Sequence, residues 1–287
     1  MGNPHGEGPL DVRPHFVIPY WTNTLPSGER PDTGDTRPLP AEVVSYFCPA
    51  IHTSAFMPGT DLTVEVDVCN FGDGNTPSLA QVTVWWSIPT GVFIPDADHR
   101  IGVSVIPVNP RGGSATTPPM TRMIPADAPS HICLLVSVTH PLDLAGSTPN
   151  PVMDRHWAQR NLMVVTAVPG VPILIPVMAT NPLDDPAEFV LWANPVPEMY
   201  YAGLADEIEG EVVQLDALFT FNEEGQEENE PRPLYPLQME GREQRPLTLS
   251  IMMDQVPETG QYVAFEVTQT LGREQLLGSL AIIVKSE

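Results

Sequence analysis

Asp61-Leu-Thr-Val-Glu-Val-Asp-Val-Cys69 alternates strictly between polar and apolar side chains and leads into the turn sequence Asn70-Phe-Gly-Asp-Gly-Asn75. The alternation returns at Gln81-Val-Thr-Val-Trp-Trp-Ser-Ile88. A period of two residues is typical of half-buried β-strands, because successive side chains of a strand point to opposite faces. The two stretches therefore predict neighbouring strands whose apolar faces cover one core.

Proline is spread along the whole chain, with 34 prolines among 287 residues. A proline inside a helix removes a hydrogen bond and clashes with the preceding turn, so this spacing excludes long helices. The sequence predicts an all-β protein with long loops. It also predicts no membrane insertion, because no apolar run approaches the roughly 18 residues that a spanning helix needs.

The chain is strongly acidic, with a formal net charge of -23. Nucleic acids and anionic membranes would be repelled by this field, so the predicted partners are neutral or cationic. Lys285 is the only lysine. Because lysine side chains commonly protect the edges of sheets, we expect proline to take that role here.

Residues 1–40 form a Pro-rich N-terminal arm with one apolar patch that includes Phe16, Tyr20 and Trp21. A free linker has little use for such side chains. The arm therefore either docks on a partner subunit or packs back on its own first domain. Both alternatives remain open from the sequence.

Residues 41–167 are predicted to form a first antiparallel β-sandwich. Its strands are expected near 43–45, 62–69, 81–88, 102–106, 131–139 and 161–165. Trp86 is in phase with the apolar residues of its strand and is predicted to fill the core. Trp85 points the other way, so it is either covered by the arm or offered to a partner.

Residues 61–84, with the Asn70-Phe-Gly-Asp-Gly74 turn between two alternating strands, resemble the CARDB-like branch of bacterial immunoglobulin-like domains. The stretch Asp154-Arg-His-Trp-Ala-Gln-Arg-Asn-Leu162 is similar to the lead-in to the last strand of such domains. The resemblance implies a sandwich used for adhesion, spacing or assembly. It implies no catalytic residue.

Residues 168–287 are predicted to form a second sandwich, with strands near 171–177, 189–192, 247–251, 262–268 and 276–284. Gly278, inside the last of these, indicates a bulge or a close approach of another backbone. The linker 169–172 is short, so we expect a restricted orientation between the domains. The predicted fold is two tandem immunoglobulin-like antiparallel β-sandwiches preceded by the arm.

The thiols of Cys48, Cys69 and Cys133 are expected to be free. An inter-sheet bridge between Cys69 and Cys133 is conceivable from their separation of 64 residues. The alternation disfavours it, because both cysteines fall between inward-facing positions, and free thiols fit a reducing compartment. The inward-facing positions are Leu62, Val64, Val66, Val68, Ile132, Leu134, Val136 and Val138.

No metal site is predicted. Cys48, His52, His131 and Cys133 offer zinc-binding atoms, but their spacings do not match a known zinc site. The acidic tract 222–230 lacks the ordered spacing of a calcium loop and is interpreted as a solvated insertion.

The oxygen-rich turn at Asn70, Asp73 and Asn75 is interpreted as a turn of residues that tolerate positive φ.

No catalytic site or cofactor is predicted either, because no serine elbow, paired cysteine and histidine, or phosphate-binding glycine loop occurs in a suitable context. Asp154, Arg155 and His156 are adjacent in sequence. On an extended segment they would point to opposite sides and could not serve one site. They are interpreted as a hydrogen-bonded lead-in to the last strand.

The sequence therefore predicts a non-enzymatic structural or interaction protein that is a subunit of a larger assembly. Its partners are expected to be proteins, a second copy of the chain among them, bound through Phe16, Tyr20, Trp21 and Trp85. The N-terminus lacks the pattern of a signal peptide. This leaves a cytoplasmic location, export by a non-classical route or prior removal of a signal open.

Two alternatives remain. One is an adhesin-like carbohydrate-binding or other ligand-binding module, in which Trp85, Trp157, Tyr200 and Tyr201 stack on sugar rings. The other is a pair of accessory domains beside a hydrolase or an injection-type apparatus.

Overall fold

The computed structural model describes residues 12–129, 131–201, 204, 208–223, 231 and 233–286. These residues form an all-β protein built from mainly antiparallel sheets that face one another, which confirms the predicted fold class. A short 3-10 helix, Glu198–Tyr200, lies in one of the loops. Within the described residues, no helix has the length and apolar character needed to cross a membrane.

The first sandwich has a sheet organised around one long central strand, β3. That sheet contains β1 (Phe16–Val17), β2 (Ile51–Thr53), β3 (Asp61–Asn70), β6 (Gly113–Thr116) and β7 (Met120–Met123). The facing sheet has the order β5-β4-β8-β9, with β4 (Ser78–Ser87), β5 (Arg100–Val108), β8 (Cys133–Thr139) and β9 (Trp157–Arg160).

The core of this sandwich confirms the alternation. The inward-facing residues of β3 and β8 predicted from the sequence are all buried in one cluster, and Trp86 joins them at 6% exposure. The prediction of a strand at 43–45 is wrong. These residues form turns, in which the Val43 amide donates to the carbonyl of Pro40 over 2.9 Å.

The second sandwich packs a small sheet on a larger one. The small sheet has the order β11-β16-β14, with β11 (Ile173–Thr180), β14 (Leu218–Glu223) and β16 (Gln244–Met252). The larger sheet has the order β10-β18-β17-β12-β15, with β13 beside β17. Its strands are β10 (Leu162–Ala167), β12 (Ala187–Pro195), β13 (Glu211–Val212), β15 (Leu234–Met239), β17 (Gln261–Leu271) and β18 (Gln275–Ser286).

β10 corrects the prediction that 161–165 is the last strand of the first sandwich. This strand pairs in parallel with β18, in the larger sheet of the second sandwich. Apolar alternation indicates that a strand has a buried face but does not specify which sheet it joins. The boundaries 41–167 and 168–287 stay predictions.

The outer face of β17 and β18 is also buried, although sandwich sheets often leave that face to solvent. Tyr46 and Phe47, from the segment before β2, pack there against Tyr262 and Ile283. This double burial explains why eight consecutive residues of β18 are buried. The segment after the arm thus ties the two sandwiches together.

A seam of buried polar groups lies between the two sandwiches, where the chain passes from β9 to β10 at Asn161. The Asn161 side-chain amide donates to the carbonyls of Thr90 and Ser279 over 3.3 and 3.4 Å. Its backbone N–H donates to the carbonyl of Tyr46 over 2.7 Å, and its carbonyl accepts from the amide of Ala281 over 3.0 Å. Buried polar groups need such partners, so the seam favours one relative position of the sandwiches.

Gly278 lies in this seam and confirms the prediction made for it. The register of β17 and β18 shifts opposite it, between Gln269 and Thr270. A Cβ at position 278 would overlap the carbonyl oxygen of Gly91, in the loop after β4. The glycine is therefore required by a close approach between the two sandwiches as well as by the bulge.

Replacing this glycine should loosen the seam. We expect Gly278→Ala to lower the free energy of unfolding by about 1–3 kcal/mol, because an inserted methyl group forces backbone shifts. Urea unfolding measures the change. Gly74→Ala is the control, since the nearest atom to its added Cβ lies 3.3 Å away. Equal stability of the two variants would contradict the close packing described for Gly278.

Candidate functional site

The N-terminal arm packs on the chain's own first core. Phe16, Tyr20 and Trp21 are 0%, 4% and 7% exposed and belong to the cluster that fills the first sandwich. The Tyr20 hydroxyl donates to the carbonyl of Ser45 over 3.0 Å. These contacts support the intramolecular alternative. The three aromatic residues, which were expected to bind a partner, expose little side-chain surface.

Asp32 fixes the loop that follows this part of the arm. Its carboxylate is buried and accepts two hydrogen bonds from the Arg37 guanidinium, over 3.0 and 3.1 Å. It also accepts the backbone N–H of Tyr20 over 3.0 Å. A buried carboxylate is costly unless it is paired in this way, so the loop depends on both partners.

Asp143 joins the arm to the lead-in of β9. Its Oδ2 accepts the backbone N–H of Phe16 over 2.6 Å. Its Oδ1 lies 2.5 Å from a guanidinium nitrogen of Arg155 and 3.1 Å from Nε2 of His156. The other ring nitrogen of His156, Nδ1, lies 2.7 Å from Oδ1 of Asp154. These four side chains form the arm clasp.

The arm clasp corrects the prediction that Asp154, Arg155 and His156 cannot serve one site. Asp154 and His156 are two residues apart and meet directly, whereas Arg155 reaches the same carboxylate as His156. Asp143 from a preceding loop makes this convergence possible. The segment leads into β9 and not into a strand at 161–165, because the carbonyl of His156 accepts the amide of Val138, in β8, over 2.9 Å.

The clasp is charged on both sides of the imidazole. Burial by itself lowers the pKa of His156, but hydrogen bonding to Asp143 and Asp154 outweighs burial, so the pKa is raised. Burial would raise the pKa values of the two carboxyl groups. Hydrogen bonds from His156, with the Phe16 amide as a further donor to Asp143, hold both pKa values below their usual range. An imidazolium between two carboxylates is thereby favoured.

A polar cavity of about 280 Å³ adjoins the clasp. It is lined by Arg13, Pro14, His15, Phe71, Gly72, Asp73, Leu142, Asp143 and Arg155. Two residues of this lining, Asp143 and Arg155, belong to the clasp and pair with each other. The geometry supports a structural role in which the clasp holds the arm.

Trp85 points to the outer face of its sheet, as predicted. The sequence suggested that the arm covers it or that a partner binds it, but neither alternative describes its contacts fully. Its ring lies 6.0 Å from the ring of Trp157, centroid to centroid, and packs beside Phe93 and Leu135. It is half-buried by its own domain. The remaining ring surface borders the outer face of β4 and β5.

The β4–β5 outer face is defined by three rows of opposed residues. Leu79 lies opposite Pro107, Gln81 opposite Val105, and Thr83 opposite Val103. Leu79, Val103 and Val105 are 57%, 48% and 56% exposed. Thr83 is buried, so the open part of this face consists of the other five residues, which are exposed and uncharged.

The aromatic residues expected to bind sugar do not form one platform. Trp85 and Trp157 pack together, and Trp157 is buried. Tyr200 packs edge-on against Tyr46 in a different cluster, and the Tyr201 hydroxyl accepts a hydrogen bond from Gln214 over 3.2 Å. These rings fill gaps between loops and strands.

The zinc-type residues are likewise not brought together. His52 pairs with Asp67 over 2.8 Å, and Cys48 donates to the carbonyl of Pro19 over 3.4 Å. His131 lies beside Cys133, its Nε2 3.9 Å from the sulfur. Among the described residues, no group of three or more histidine, cysteine or acidic side chains is placed to hold a metal ion.

Two further expectations concern acidic and amide side chains. In the tract 222–230, residues 224–230 lie outside the described residues. The turn at Asn70 exists for a different reason from the one predicted, because Asn70, Asp73 and Asn75 do not have positive φ. Instead, the buried Asn70 side chain accepts the backbone amides of His15 and Gly72, each over 3.0 Å, and so fastens the arm.

The three thiols are unpaired. Burial raises the pKa of Cys48 and of Cys133 to about 12, and it also raises that of the half-buried Cys69. Cys133 is more buried than its alternation suggests, because its sulfur accepts the amide of Thr90, in the loop that contacts the second sandwich, over 3.4 Å. A high thiol pKa makes these cysteines unreactive.

Sequence reasoning missed Asp32 and Asp143, which hold the arm in place. Asp143 follows His140-Pro-Leu in an ordinary loop sequence, and its main-chain partner Phe16 lies 127 residues away. A local pattern carries no signal for such a contact. Only the burial of the arm, which the apolar patch suggested, could have prompted a search for a polar anchor.

No family model matches the chain, and no curated protein matches it. The CupB6 tip adhesin from Pseudomonas aeruginosa is 11% identical, with 82% of this chain and 93% of that chain covered and a TM-score of 0.23. The collagen adhesin from S. aureus is 8% identical, with coverages of 84% and 93% and a TM-score of 0.23. CBD12 from CALX1.2 is 11% identical, with coverages of 78% and 93% and a TM-score of 0.21. At these TM-scores the likeness supports no inference, and the CARDB resemblance stays a prediction.

The clasp predicts a pH-dependent stability. The raised pKa of His156 contributes stability that is complete below about pH 6.5 and is lost as pH rises through the folded-state pKa. The lowered pKa values of Asp143 and Asp154 contribute stability above about pH 4, which is lost as pH falls through their folded-state values. The clasp is therefore strongest between these limits.

We expect His156→Gln to lower the melting temperature most in that mildly acidic window and less toward pH 8. Thermal unfolding followed by circular dichroism across this range measures the difference. His52→Gln is the control, because His52 and Asp67 form a solvent-exposed pair with side chains 50% and 37% exposed. A difference that does not vary with pH would rule out the charged clasp.

The buried arm predicts a large loss of stability without any change of assembly. We expect Phe16→Ala to lower the free energy of unfolding by about 3–5 kcal/mol, as truncation of a buried phenylalanine does. Urea unfolding and light scattering measure stability and mass, with Val12→Ala, 65% exposed, as the control. Unchanged stability together with a lost oligomer would instead show an arm exchanged between copies.

Proposed function

We propose that this chain is a non-enzymatic interaction protein that serves as a subunit of a larger protein assembly. The observation that carries the proposal is the β4–β5 outer face. It offers exposed apolar side chains on a protein whose net charge is -23. Contiguous apolar surface of this kind on a soluble fold is typical of an interaction site.

The location of this face supports the proposal. The other half of the same sheet, at Leu135 and Trp157, is covered by Phe93 and Ala145 from loops of the chain. In the half at β5, Val103 and Val105 stay exposed among the described residues. The chain therefore covers one part of a sheet and leaves the adjoining part open, with Trp85 at the border.

The non-enzymatic part of the proposal rests on the chemistry of the clasp. Its acid and base groups pair with one another within the fold, and one of them, Asp143, holds the Phe16 amide. A sandwich used for adhesion, spacing or assembly, as the CARDB resemblance implies, agrees with this role.

A photo-crosslinking amino acid at position 105 tests the proposal in cells that naturally produce the protein. We expect one discrete adduct, identified by mass spectrometry, because Val105 is at the centre of the apolar face. The same substitution at Leu174, which is 64% exposed on the second sandwich, is the matched control. No adduct at position 105, or the same adducts at both positions, would refute this interaction surface.

A further inference from the structure

We infer that the occupant of this surface is a second copy of the chain, which pairs its β5 with β5 antiparallel about a two-fold axis at Ser104. This inference rests on the proposed function and names its partner. The two four-stranded sheets would then form one continuous sheet across the axis. Such an interface uses the same strand on both copies.

The strand β5 forms a ladder on one side only, although β6 and β7 of the facing sheet also lie close to it. In the described part of the chain it pairs with β4 alone and stands at the end of the order β5-β4-β8-β9. At its first residue, Arg100, the carbonyl accepts a hydrogen bond from the Arg122 guanidinium. The stretch from Ile101 onward follows this cap, and an exposed strand edge is a template for another strand.

The two residues that flank Ser104 in β5 are both valines. In the proposed register, Val103 of one copy lies opposite Val105 of the other, and the same pair forms again on the far side of the axis. Cross-strand pairs of β-branched residues stabilise antiparallel sheets. Both valines are on the outer face, so the apolar strips of the two copies join into one.

Local charge does not oppose a second copy, despite the acidity of the whole chain. The residues from Ile101 to Val108 carry no charge, so two strands can meet without opposing like charges directly. Arg100 lies opposite Val108 in this register, which keeps the two arginines at opposite ends. No lysine guards this edge. Pro107 has no N–H to donate, so the pairing is carried by the residues from Gly102 to Ile106 of each copy.

The proposed contact is small. One strand pair with its apolar strip buries less than the roughly 1,200 Å² at which stable protein interfaces begin. We therefore expect a reversible dimer whose fraction increases with protein concentration. In a larger assembly, further contacts would add to this one. Salt should strengthen it, because screening reduces the repulsion between two acidic copies.

Disulfide trapping in the full-length protein tests the pairing. Val103→Cys and Val105→Cys are made separately in a Cys69→Ser background, since Cys48 and Cys133 are fully buried. We expect a mixture of the two variants to form crosslinked dimers about ten-fold faster than either variant alone, because only opposed positions bring the Cβ atoms within disulfide reach. Val171→Cys, on the second sandwich, is an exposed control.

The outcomes separate this inference from the proposed function. Fast crosslinking of the mixture, together with a mass that increases with concentration in light scattering, supports the dimer. Faster crosslinking of one variant with itself overturns the register. A monomer without crosslinks overturns the inference, and the function then stands only if position 105 still captures one different protein in cells. If no protein is captured there, both proposals fail.

Discussion

The passage of the chain from one sandwich to the other at Asn161 is the constraint on which the rest of the structure depends. The backbone and side-chain N–H groups of Asn161 find partners in both sandwiches, so the loop after β4, the segment before β2 and the strand β18 are arranged around it. Gly91 and Gly278 allow the two backbones to approach there. The outer face of β18 is buried as a consequence, and the second sandwich has a core on one side and the seam on the other.

The packing of the N-terminal arm also depends on hydrogen-bond partners for its buried backbone groups. An apolar segment such as Phe16 to Trp21 can be buried only if its backbone amides and carbonyls find partners. Asp143 and Asn70 supply acceptors for it, and Asp32 supplies one for Tyr20. Polar side chains of the loops therefore decide where the aromatic side chains pack, and exposed apolar surface remains at the β4–β5 outer face.

The sequence predicted the features that depend on local pattern. The alternation of β3 and the inward position of Trp86 follow from a period of two, and the role of Gly278 follows from the rarity of glycine inside a strand. It did not predict that β10 joins the second sandwich, because parallel pairing with β18 is a contact over more than one hundred residues. It also gave no sign of the arm clasp, since Asp143 and His156 come from separate loops whose meeting depends on the finished fold.

The interaction surface was predictable only in part. An outward Trp85 follows from alternation, yet its cover by Trp157 does not. The exposure of Val103 and Val105 depends on β5 being an edge strand, which a single strand pattern cannot reveal. The sequence thus indicates the faces of strands, whereas the position of a strand in its sheet determines which of those faces can bind a partner.

Amide hydrogen exchange at the seam tests this account most directly. The backbone amides of Asn161, Met178 and Ala281 donate to carbonyls of Tyr46, Pro89 and Asn161, respectively, so each bond closes part of the seam. The account predicts protection as strong as that of Val66, in the centre of β3, because the seam opens only when the fold does. Exchange at the rate of exposed loops would contradict it and would show that the two sandwiches separate readily.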